Sequence, residues 1–383
     1  MKHSTERILV SHVGSLARPK DLMEMLVARN EGRAYDKATL SKRMRESVAE
    51  VVAKQIECGI DVVNDGELGK SNFSRYTKER LGGFVERTAD LNFKPTSIFG
   101  RDMKEFTEYF NRGGRTAIGH HARVFYAVEP LKYVGQEEVQ EDIANLKAAL
   151  QGKKYEEAFL PAIAPGTMEH WMKNEYYKTN EEYLFAIAGA MAEEYKAIVD
   201  AGFVLQIDDP DLADAWQMFP DMSLADYRKY QELRVDALNH ALKGLPEDRI
   251  RFHMCWGSYH GPHKYDMPLK DIIDIILKVR ASCYSIEASN PVHEHEWRVW
   301  QEVKLPARKM LMPGVIGHCS DFIEHPRAIA DRLVRYAKIV GKDNVIAGTD
   351  CGIGSRVGHP QVGWAKFQAM AEGARIASKE LWG

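Results

Sequence analysis

The sequence predicts a single (β/α)8 barrel that occupies residues 1–383 as one domain, with a long insertion between the second and third strands. Short β-rich runs follow one another along the chain, helical patterns lie between most of them, and no Pro/Gly/Ser-rich linker divides the chain in two. The eight runs cover residues 8–13, 60–65, 158–164, 203–208, 250–255, 282–287, 309–315 and 344–350. A doubly wound protein of two domains is the competing arrangement.

The segments between these runs carry clear helix signals. Residues 36–58 have apolar side chains at helical spacing. Thr179-x-x-Glu182 has the form of a capping box at the start of a helix. Pro326 is suited to the first turn of another helix, which we expect to end at Gly341.

The interval between the second and third runs is much longer than the others. We expect residues 84–156 to form an inserted excursion that covers the barrel, partly in β-structure over 115–128. A weak internal similarity between residues 57–66 and 200–209 supports a repeated strand unit on either side of it.

The composition is that of an ordinary globular protein: 383 residues, 45% hydrophobic and 28% charged. Lys and Arg (52) nearly balance Asp and Glu (55), so we expect no nucleic-acid partner and no attraction to an anionic membrane. Apolar stretches fall short of the ~20 residues that span a bilayer, and the N-terminus lacks a signal-peptide pattern. We therefore expect a cytoplasmic protein; its sequence leaves a homo-oligomeric state open.

Four residues of metal-binding type lie at the ends of predicted strands. His253 and Cys255 are two positions apart on one run, so their side chains share a face. Glu287 ends the next run, and Cys351 directly follows the last. One imidazole, one carboxylate and two thiolates at the same rim predict a four-coordinate Zn²⁺ site.

This ligand set favours thiol chemistry over hydrolysis. Two thiolates and a carboxylate leave little positive charge on zinc, whereas hydrolytic zinc usually has neutral nitrogen ligands and bound water. A thiol bound to zinc loses its proton, although a free thiol has a pKa of ~8.5. The sequence therefore predicts alkylation of a small-molecule thiol. Among the other cysteines, Cys58 and Cys283 are expected to be buried and inert, and Cys319 has no assigned role.

Along nearly its whole length the chain resembles the catalytic barrel of cobalamin-independent methionine synthases and their single-barrel relatives, which include the epoxyalkane:coenzyme M transferases. The segments that carry the resemblance are Val13-Gly14-Ser15, Asp65-Gly66-Glu67, Pro165-x-Thr167-Met168-x-x-Trp171, Ile207-Asp208, His253-x-Cys255, Glu287, Pro313-Gly314-Val315 and Asp350-Cys351-Gly352. The ordered metal quartet is the most specific of these signals.

The resemblance implies roles for the matching residues. Ser15 would contact the carboxylate of homocysteine, and Glu67 and Asp208 would hold its amino group. Trp171 would stack on the pterin of methyltetrahydrofolate. The implied reaction is transfer of a methyl group to homocysteine, with zinc as cofactor.

The chain departs from the family pattern at two places. Asp209 replaces a glutamate before Pro210. After the seventh strand the chain has Ile-Gly-His-Cys-Ser-Asp instead of Asp-Ile-His-Ser-Pro, so His318 is a nearby candidate for the acid that protonates the leaving group. These differences affect the choice of methyl donor more than the metal.

Three alternatives remain open at this point. The same metal could serve another electrophile, such as an epoxide opened by coenzyme M, or the zinc could be purely structural. A metal-free barrel of the uroporphyrinogen decarboxylase type is the third, and it leaves the quartet without a use. The histidines 260, 263, 293 and 295 suggest either a second metal site or, more simply, polar loops.

Overall fold

The computed structural model describes residues 1–70, 76–88, 99–112, 123–354 and 356–383. Its strands, in chain order, are β1 (Leu9–Val10), β2 (Val62–Val63), β3 (Leu81–Thr88), β4 (Arg123–Tyr133), β5 (Glu157–Ile163), β6 (Met172–Asn174), β7 (Val204–Asp208), β8 (Ile250–Met254), β9 (Cys283–Ile286), β10 (Met310–Ile316) and β11 (Ile346–Thr349). Eight of them form one parallel sheet in the order β1-β11-β10-β9-β8-β7-β5-β2.

This sheet is a nearly closed barrel, which confirms the predicted fold class. Its two end strands, β1 and β2, are joined by a hydrogen bond from the Asp61 amide to the Val10 carbonyl (2.9 Å) and one from the Ser11 hydroxyl to the Val62 carbonyl (3.1 Å). Each of the eight predicted β-rich runs contains or overlaps one barrel strand.

The helices are α1 (Lys20–Asn30), α2 (Lys37–Glu57), α3 (Tyr76–Arg80), α4 (Gly100–Glu105), α5 (Thr107–Asn111), α6 (Gln136–Leu150), α7 (Pro165–Trp171), α8 (Asn180–Asp200), α9 (Asp211–Met218), α10 (Leu224–Ala241), α11 (Ile273–Ile276), α12 (Val299–Glu302), α13 (Pro326–Val340) and α14 (Pro360–Trp382). The Thr179 side chain accepts a hydrogen bond from the Glu182 amide (3.0 Å), as the predicted cap requires. Helix α13 begins at Pro326 and stops before Gly341, whose φ of 93° suits glycine. Among the described residues, none of the helices is both long and apolar enough to cross a membrane.

A second, smaller sheet lies outside the barrel. Strand β4 pairs antiparallel with β3 and parallel with β6, which follows α7. The part of the predicted β-segment over 123–128 lies in β4, and 115–122 lies outside the described residues. Helix α6 packs against α2 and α8, as an outer helix of the barrel does. The exact extent of the insertion, 84–156, stays a prediction.

A buried arginine connects the barrel interior to the carboxyl ends of the strands. The Arg251 guanidinium donates to the Gln206 side chain (2.7 Å), the Ser11 hydroxyl (2.8 Å) and the His12 carbonyl (3.0 Å). The Gln206 amide group in turn donates to the Asp208 carboxylate (2.8 Å). Since every one of these groups is buried, the network fixes the direction of Asp208 at the end of β7.

Candidate active site and metal centre

A cavity of about 380 Å³ opens at the carboxyl ends of the barrel strands. It is lined by Val13, Ser15, Arg18, Glu67, Trp171, Asp208, Pro210, Asp211, Asp214, His253, Cys255, Gly257, Ser258, Tyr259, Cys351, Gly352 and Arg356. The structure therefore brings together all four predicted substrate-binding residues and three of the four predicted metal ligands. Glu287 and His318 are not among the lining residues.

The three metal-type residues of the cavity lie close together. The donor atoms of His253, Cys255 and Cys351 are within 4.8 Å of one another, and the two sulfur atoms are 3.4 Å apart. Both cysteines are free thiols. His253 lies in β8 and Cys255 directly follows this strand, two positions later, so both face the cavity; Cys351 reaches it from the turn after β11.

The electrostatics of this cluster suit a cation. A hydrogen bond from the Cys255 thiol, together with the nearby imidazoles, holds the pKa of Cys351 well below its usual range. The ring of His253 contacts the Ser285 hydroxyl through Nδ1 (3.2 Å), while its buried Nε2 has no hydrogen-bond partner among the described residues. An unsatisfied imidazole nitrogen beside two sulfur atoms fits the donor set of a zinc site.

The fourth predicted ligand, Glu287, is placed differently. Its carboxylate accepts hydrogen bonds from the Trp256 amide (2.9 Å) and from the Asn290 side chain (3.1 Å). Its ligand atoms group with those of His318 and Asp350 instead of with the two sulfur atoms. Burial raises the pKa of this carboxyl. Its role as a metal ligand stays a prediction.

The predicted acid, His318, belongs to this second cluster and is only 2% exposed. Although burial opposes its charge, hydrogen bonding with Cys319 and the nearby Cys351 and Glu287 raise the pKa of His318 to about 10. His318 does not line the cavity.

The glycine–serine turn after β1 leaves room for Glu67. A Cβ atom at Gly14 would lie 2.5 Å from Glu67 Oε1, and the φ of Gly14, 141°, is also one that other residues rarely adopt. The Glu67 amide donates to the Asp65 carboxylate (2.9 Å), and the Arg18 guanidinium donates to the Glu67 carbonyl (2.6 Å). Glu67 Oε1 therefore lies beside Gly14, the residue before Ser15, and both Glu67 and Ser15 line the cavity.

Asp208 is the second acidic group at this end. Burial, reinforced by the negative charge of Glu67, raises the pKa of Asp208 to about 8. Burial also raises the pKa of Glu67. A cationic ligand beside Glu67 and Asp208 would lower the pKa of these two desolvated carboxyl groups and favour their ionised forms.

Trp171 occupies the outer part of the cavity. Its side chain is 39% exposed, and its indole nitrogen donates to the Asp211 carboxylate (3.1 Å). Asp209, the residue that departs from the family pattern, does not line the cavity; its buried carboxyl accepts a hydrogen bond from the Thr167 hydroxyl (2.8 Å).

Sequence reasoning did not single out Asp211, Asp214 or Tyr259, which also line the cavity. A usable signal was present for the two aspartates. They are three positions apart on α9, directly after Pro210, so both can face the same side of a helix that begins at the barrel rim.

The histidines of the neighbouring loops form a hydrogen-bonded pair around a carboxylate. His263 and His293 both contact Asp266, at 2.7 and 3.2 Å, and the His293 ring stacks on Trp256. Both imidazoles are buried, so the prediction of solvated polar loops is wrong for these two residues. Within the described part of the chain, none of His260, His263, His293 and His295 belongs to a metal-type group of three.

Comparison with known proteins agrees with this geometry. A sequence model of the catalytic domain of cobalamin-independent synthase matches residues 9–92 and 161–375. A methionine synthase of Thermococcus kodakarensis is 24% identical over 375 residues, which cover 97% of this chain and 94% of the relative. A methionine synthase of Saccharolobus islandicus is 24% identical over 371 residues, covering 96% and 94%.

The barrel is also similar to a solved structure. The B12-independent methionine synthase of Shewanella sp. W3-18-1, in complex with selenomethionine, superposes with a TM-score of 0.73 at 21% identity. The alignment covers 98% of this chain and 99% of that protein. This likeness shows a shared fold.

Proposed function

Since the chain belongs to the family of cobalamin-independent synthase catalytic domains, we propose that it is a zinc-dependent methyltransferase that converts homocysteine to methionine with a methyltetrahydrofolate-type donor. One observation carries this proposal. A single cavity holds an imidazole, two sulfur atoms and the buried carboxyl groups of Glu67 and Asp208, which are the groups needed to bind a thiol and an ammonium in the same molecule.

The metal would be held by His253, Cys255 and Cys351, with Glu287 as the fourth ligand. When bound, zinc would supply a deprotonated acceptor thiol near neutral pH. The protein's own contribution is to orient the ligands. Ser285 contacts the ring of His253 through the nitrogen that does not face the cavity, which leaves Nε2 available.

The acceptor end of the cavity fits an amino acid. Glu67 and Asp208 would hold the ammonium group through charge-assisted hydrogen bonds, and the Ser15 hydroxyl would meet the carboxylate. Coenzyme M has no ammonium group, so it would leave both buried carboxyl groups without a counter-charge. This is why we place homocysteine ahead of the epoxide-opening alternative.

The donor would occupy the outer part of the cavity. The exposed indole of Trp171 offers a flat surface for a pterin ring, and its hydrogen bond to Asp211 fixes its orientation. The acceptor sulfur would attack the methyl carbon in line, the C–N bond of the donor would break, and an acid would protonate the departing nitrogen. Alignment matters because a tertiary amine is a poor leaving group.

The names of the relatives agree with this assignment. The T. kodakarensis and S. islandicus proteins are both called methionine synthase, and the alignments run through nearly all of each protein. They support the choice of acceptor, while zinc and the donor rest on the donor set and the cavity of this chain.

The test is methionine formation by mass spectrometry from homocysteine and methyltetrahydrofolate, with zinc-loaded protein. We expect product from the wild type, and we expect Glu67→Gln to raise the KM for homocysteine by roughly 10–100-fold, since a charged hydrogen bond contributes about 1.5–3 kcal/mol. Glu157→Gln is the matched control, because Glu157 begins β5 at the opposite end of the barrel.

A parallel assay with coenzyme M and an epoxide separates the two acceptors. Absence of methionine from a zinc-containing protein would overturn the folate-dependent reaction. Product from coenzyme M alone would replace homocysteine with the alternative acceptor.

A further inference from the structure

Glu67, which would bind the ammonium group of the acceptor, has an unusual main-chain conformation. It lies in the left-handed region with a φ of 55°, directly after Gly66, whose φ is 71°. Glycine adopts this conformation without a steric penalty, whereas a residue with a Cβ atom adopts it at a cost in free energy. Such a residue keeps this conformation only when its surroundings hold it there. The contacts of the turn after β2, residues 64–70, therefore identify what positions Glu67.

An arginine from the segment between β1 and α1 binds the carbonyl groups of this turn. Nη2 of Arg18 donates to the carbonyls of Glu67 and Lys70, both at 2.6 Å. Nε of the same guanidinium donates to the Leu68 carbonyl (3.4 Å). Among the described residues, all hydrogen bonds of this side chain go to main-chain oxygens. A planar guanidinium with its N–H groups in a fixed fork can hold several acceptors at once.

The two segments also pack against each other through their main chains. The Leu16 amide donates to the Gly66 carbonyl (3.1 Å), and a Cβ atom at Gly66 would lie 3.3 Å from the Cβ of Leu16. The main chain of Glu67 is bonded on both sides, because its amide donates to the Asp65 carboxylate (2.9 Å) and its carbonyl accepts from Arg18. Arg18 is thus the side chain that ties Glu67 to the segment before α1.

The charge of Arg18 acts on Glu67 as well. Arg18 lines the cavity together with Ser15 and Glu67. Burial raises the pKa of Glu67, and the positive charges of Lys70 and Arg18 oppose this shift. The buried Lys70 ammonium donates to the Pro161 carbonyl on β5, whereas the Arg18 guanidinium donates to the main chain of Glu67. Geometry therefore distinguishes these two cations, although both favour the ionised carboxylate.

A second arginine makes the same type of contact away from the acceptor. Arg101 donates to the carbonyls of Trp216 (2.7 Å) and Phe219 (2.9 Å) near the end of α9. It also donates to the Met222 carbonyl (3.1 Å). Neither Arg101 nor any of these three residues lines the cavity. The main-chain contacts of Arg18 and Arg101 are therefore similar, and the turn held by Arg18 differs in that it carries a cavity residue.

We propose that Arg18 is a positioning residue for the acceptor. By binding the carbonyl groups of residues 67, 68 and 70, it holds Glu67 in the left-handed conformation that presents its carboxylate to the ammonium group of homocysteine. This inference deepens the proposed function and rests on it. Arg18 acts through the main chain of Glu67, whereas Ser15 and Glu67 would contact the acceptor directly.

The experiment measures the KM for homocysteine and kcat of zinc-loaded wild type, Arg18→Gln and Arg18→Lys. Displacement of a binding group by about 1 Å can cost about 100-fold, so we expect Arg18→Gln to raise the KM by roughly 10–100-fold. The kcat at saturating homocysteine and the zinc content should stay close to the wild-type values. Arg18→Lys keeps the positive charge without the planar fork, so its KM should rise to a similar extent.

A double-mutant cycle with Glu67→Gln distinguishes positioning from direct contact. If Arg18 acts through Glu67, adding Arg18→Gln to Glu67→Gln should change the KM by no more than about 2-fold, because the two changes remove one interaction with the acceptor. Increases in KM that multiply would show that Arg18 binds the acceptor itself, and they would overturn the positioning role.

Arg101→Gln is the matched control. It removes the same type of contact near the end of α9, so it should lower the melting temperature about as much as Arg18→Gln and leave the KM for homocysteine unchanged. An equal rise in KM in both variants would show a general loss of stability and would overturn the proposal. Arg18→Lys gives a result even if Arg18→Gln does not fold.

The outcomes separate this inference from the proposed function. A wild type that makes no methionine overturns the proposed function, and the role of Arg18 falls with it. An active wild type whose KM is unchanged in Arg18→Gln overturns the role of Arg18 alone. A wild-type KM in Arg18→Lys does the same, because the charge would then suffice without the contacts of the fork.

Discussion

Two clusters of metal-type side chains lie near each other at the catalytic end of the barrel, and they differ in what their ligand atoms contact. In the first cluster, His253, Cys255 and Cys351 face the cavity, and the imidazole Nε2 has no partner among the described residues. In the second, the Asp350 carboxylate accepts hydrogen bonds from the Ala288 amide (2.9 Å) and from the amide and hydroxyl of Ser289 (2.8 and 2.6 Å).

The difference shows that proximity alone does not make a metal site. Asp350 is already satisfied by groups that tie the turn after β11 to the turn after β9, so it has a structural use for its charge. Nε2 of His253 and of His318 both lack a hydrogen-bond partner among the described residues, so the clusters differ in the satisfied Asp350 carboxylate and in the position of the first cluster on the cavity lining. Glu287 interacts with both clusters. Its carboxylate accepts hydrogen bonds from Trp256 and Asn290, and its negative charge helps to raise the pKa of Cys255 in the first cluster.

The largest effect is expected from loss of a sulfur ligand. Cys351→Ser should abolish stoichiometric zinc binding and methionine formation, since it removes a thiolate from the first cluster. Metal content and product are measured together. Cys58→Ser is the matched control: Cys58 is also buried, at the end of α2 away from the cavity, and its variant should keep its zinc. Full zinc retention by Cys351→Ser would show that the first cluster is not the metal site.

A smaller effect on zinc binding is expected from Glu287, and comparison with Asp350 shows which of the two carboxylates binds the metal. Glu287→Gln should weaken zinc binding by at least the roughly 10–100-fold that outer-shell changes cost, because it removes a charged ligand. Asp350→Asn should leave zinc affinity unchanged and lower the free energy of unfolding by about 1–3 kcal/mol, since buried hydrogen bonds are lost. Competition with a chelator and chemical denaturation give the two quantities. If Asp350→Asn weakened zinc binding and Glu287→Gln did not, the metal site would have to be assigned to the second cluster.

The smallest effects should come from two serines with parallel positions. Ser285→Ala removes the hydroxyl that contacts the His253 ring and should reduce zinc affinity by about 10-fold. Ser289→Ala removes a hydrogen bond to Asp350 and should cost about 1 kcal/mol of unfolding free energy with zinc affinity intact. Equal zinc affinities in the two variants would mean that Ser285 does not orient the histidine.

Much of the site could be predicted because its signals are local in the sequence. Two-residue alternation placed His253 and Cys255 on one face, and the glycine–serine turn and Glu67 lay in short recognisable segments. Asp214 and Gly257 could not be paired in this way, because their contact joins α9 to the turn after β8 and neither segment specifies the other. The pairing of β4 with both β3 and β6 is non-local for the same reason.

The sequence by itself determined the succession of strands and helices, the barrel they form and the residues that supply metal-type and acidic groups. These follow from periodicity, caps and strand-end positions, which depend on neighbours along the chain. Only the tertiary structure decided which of those groups share a cavity: Asp214 lines it, His318 is buried with Glu287 and Asp350 instead, and the Glu287 carboxylate accepts a hydrogen bond from the Trp256 amide. Hydrogen bonds and packing between segments that are distant in the sequence determine which side chains line the cavity, and these contacts cannot be read from local sequence patterns.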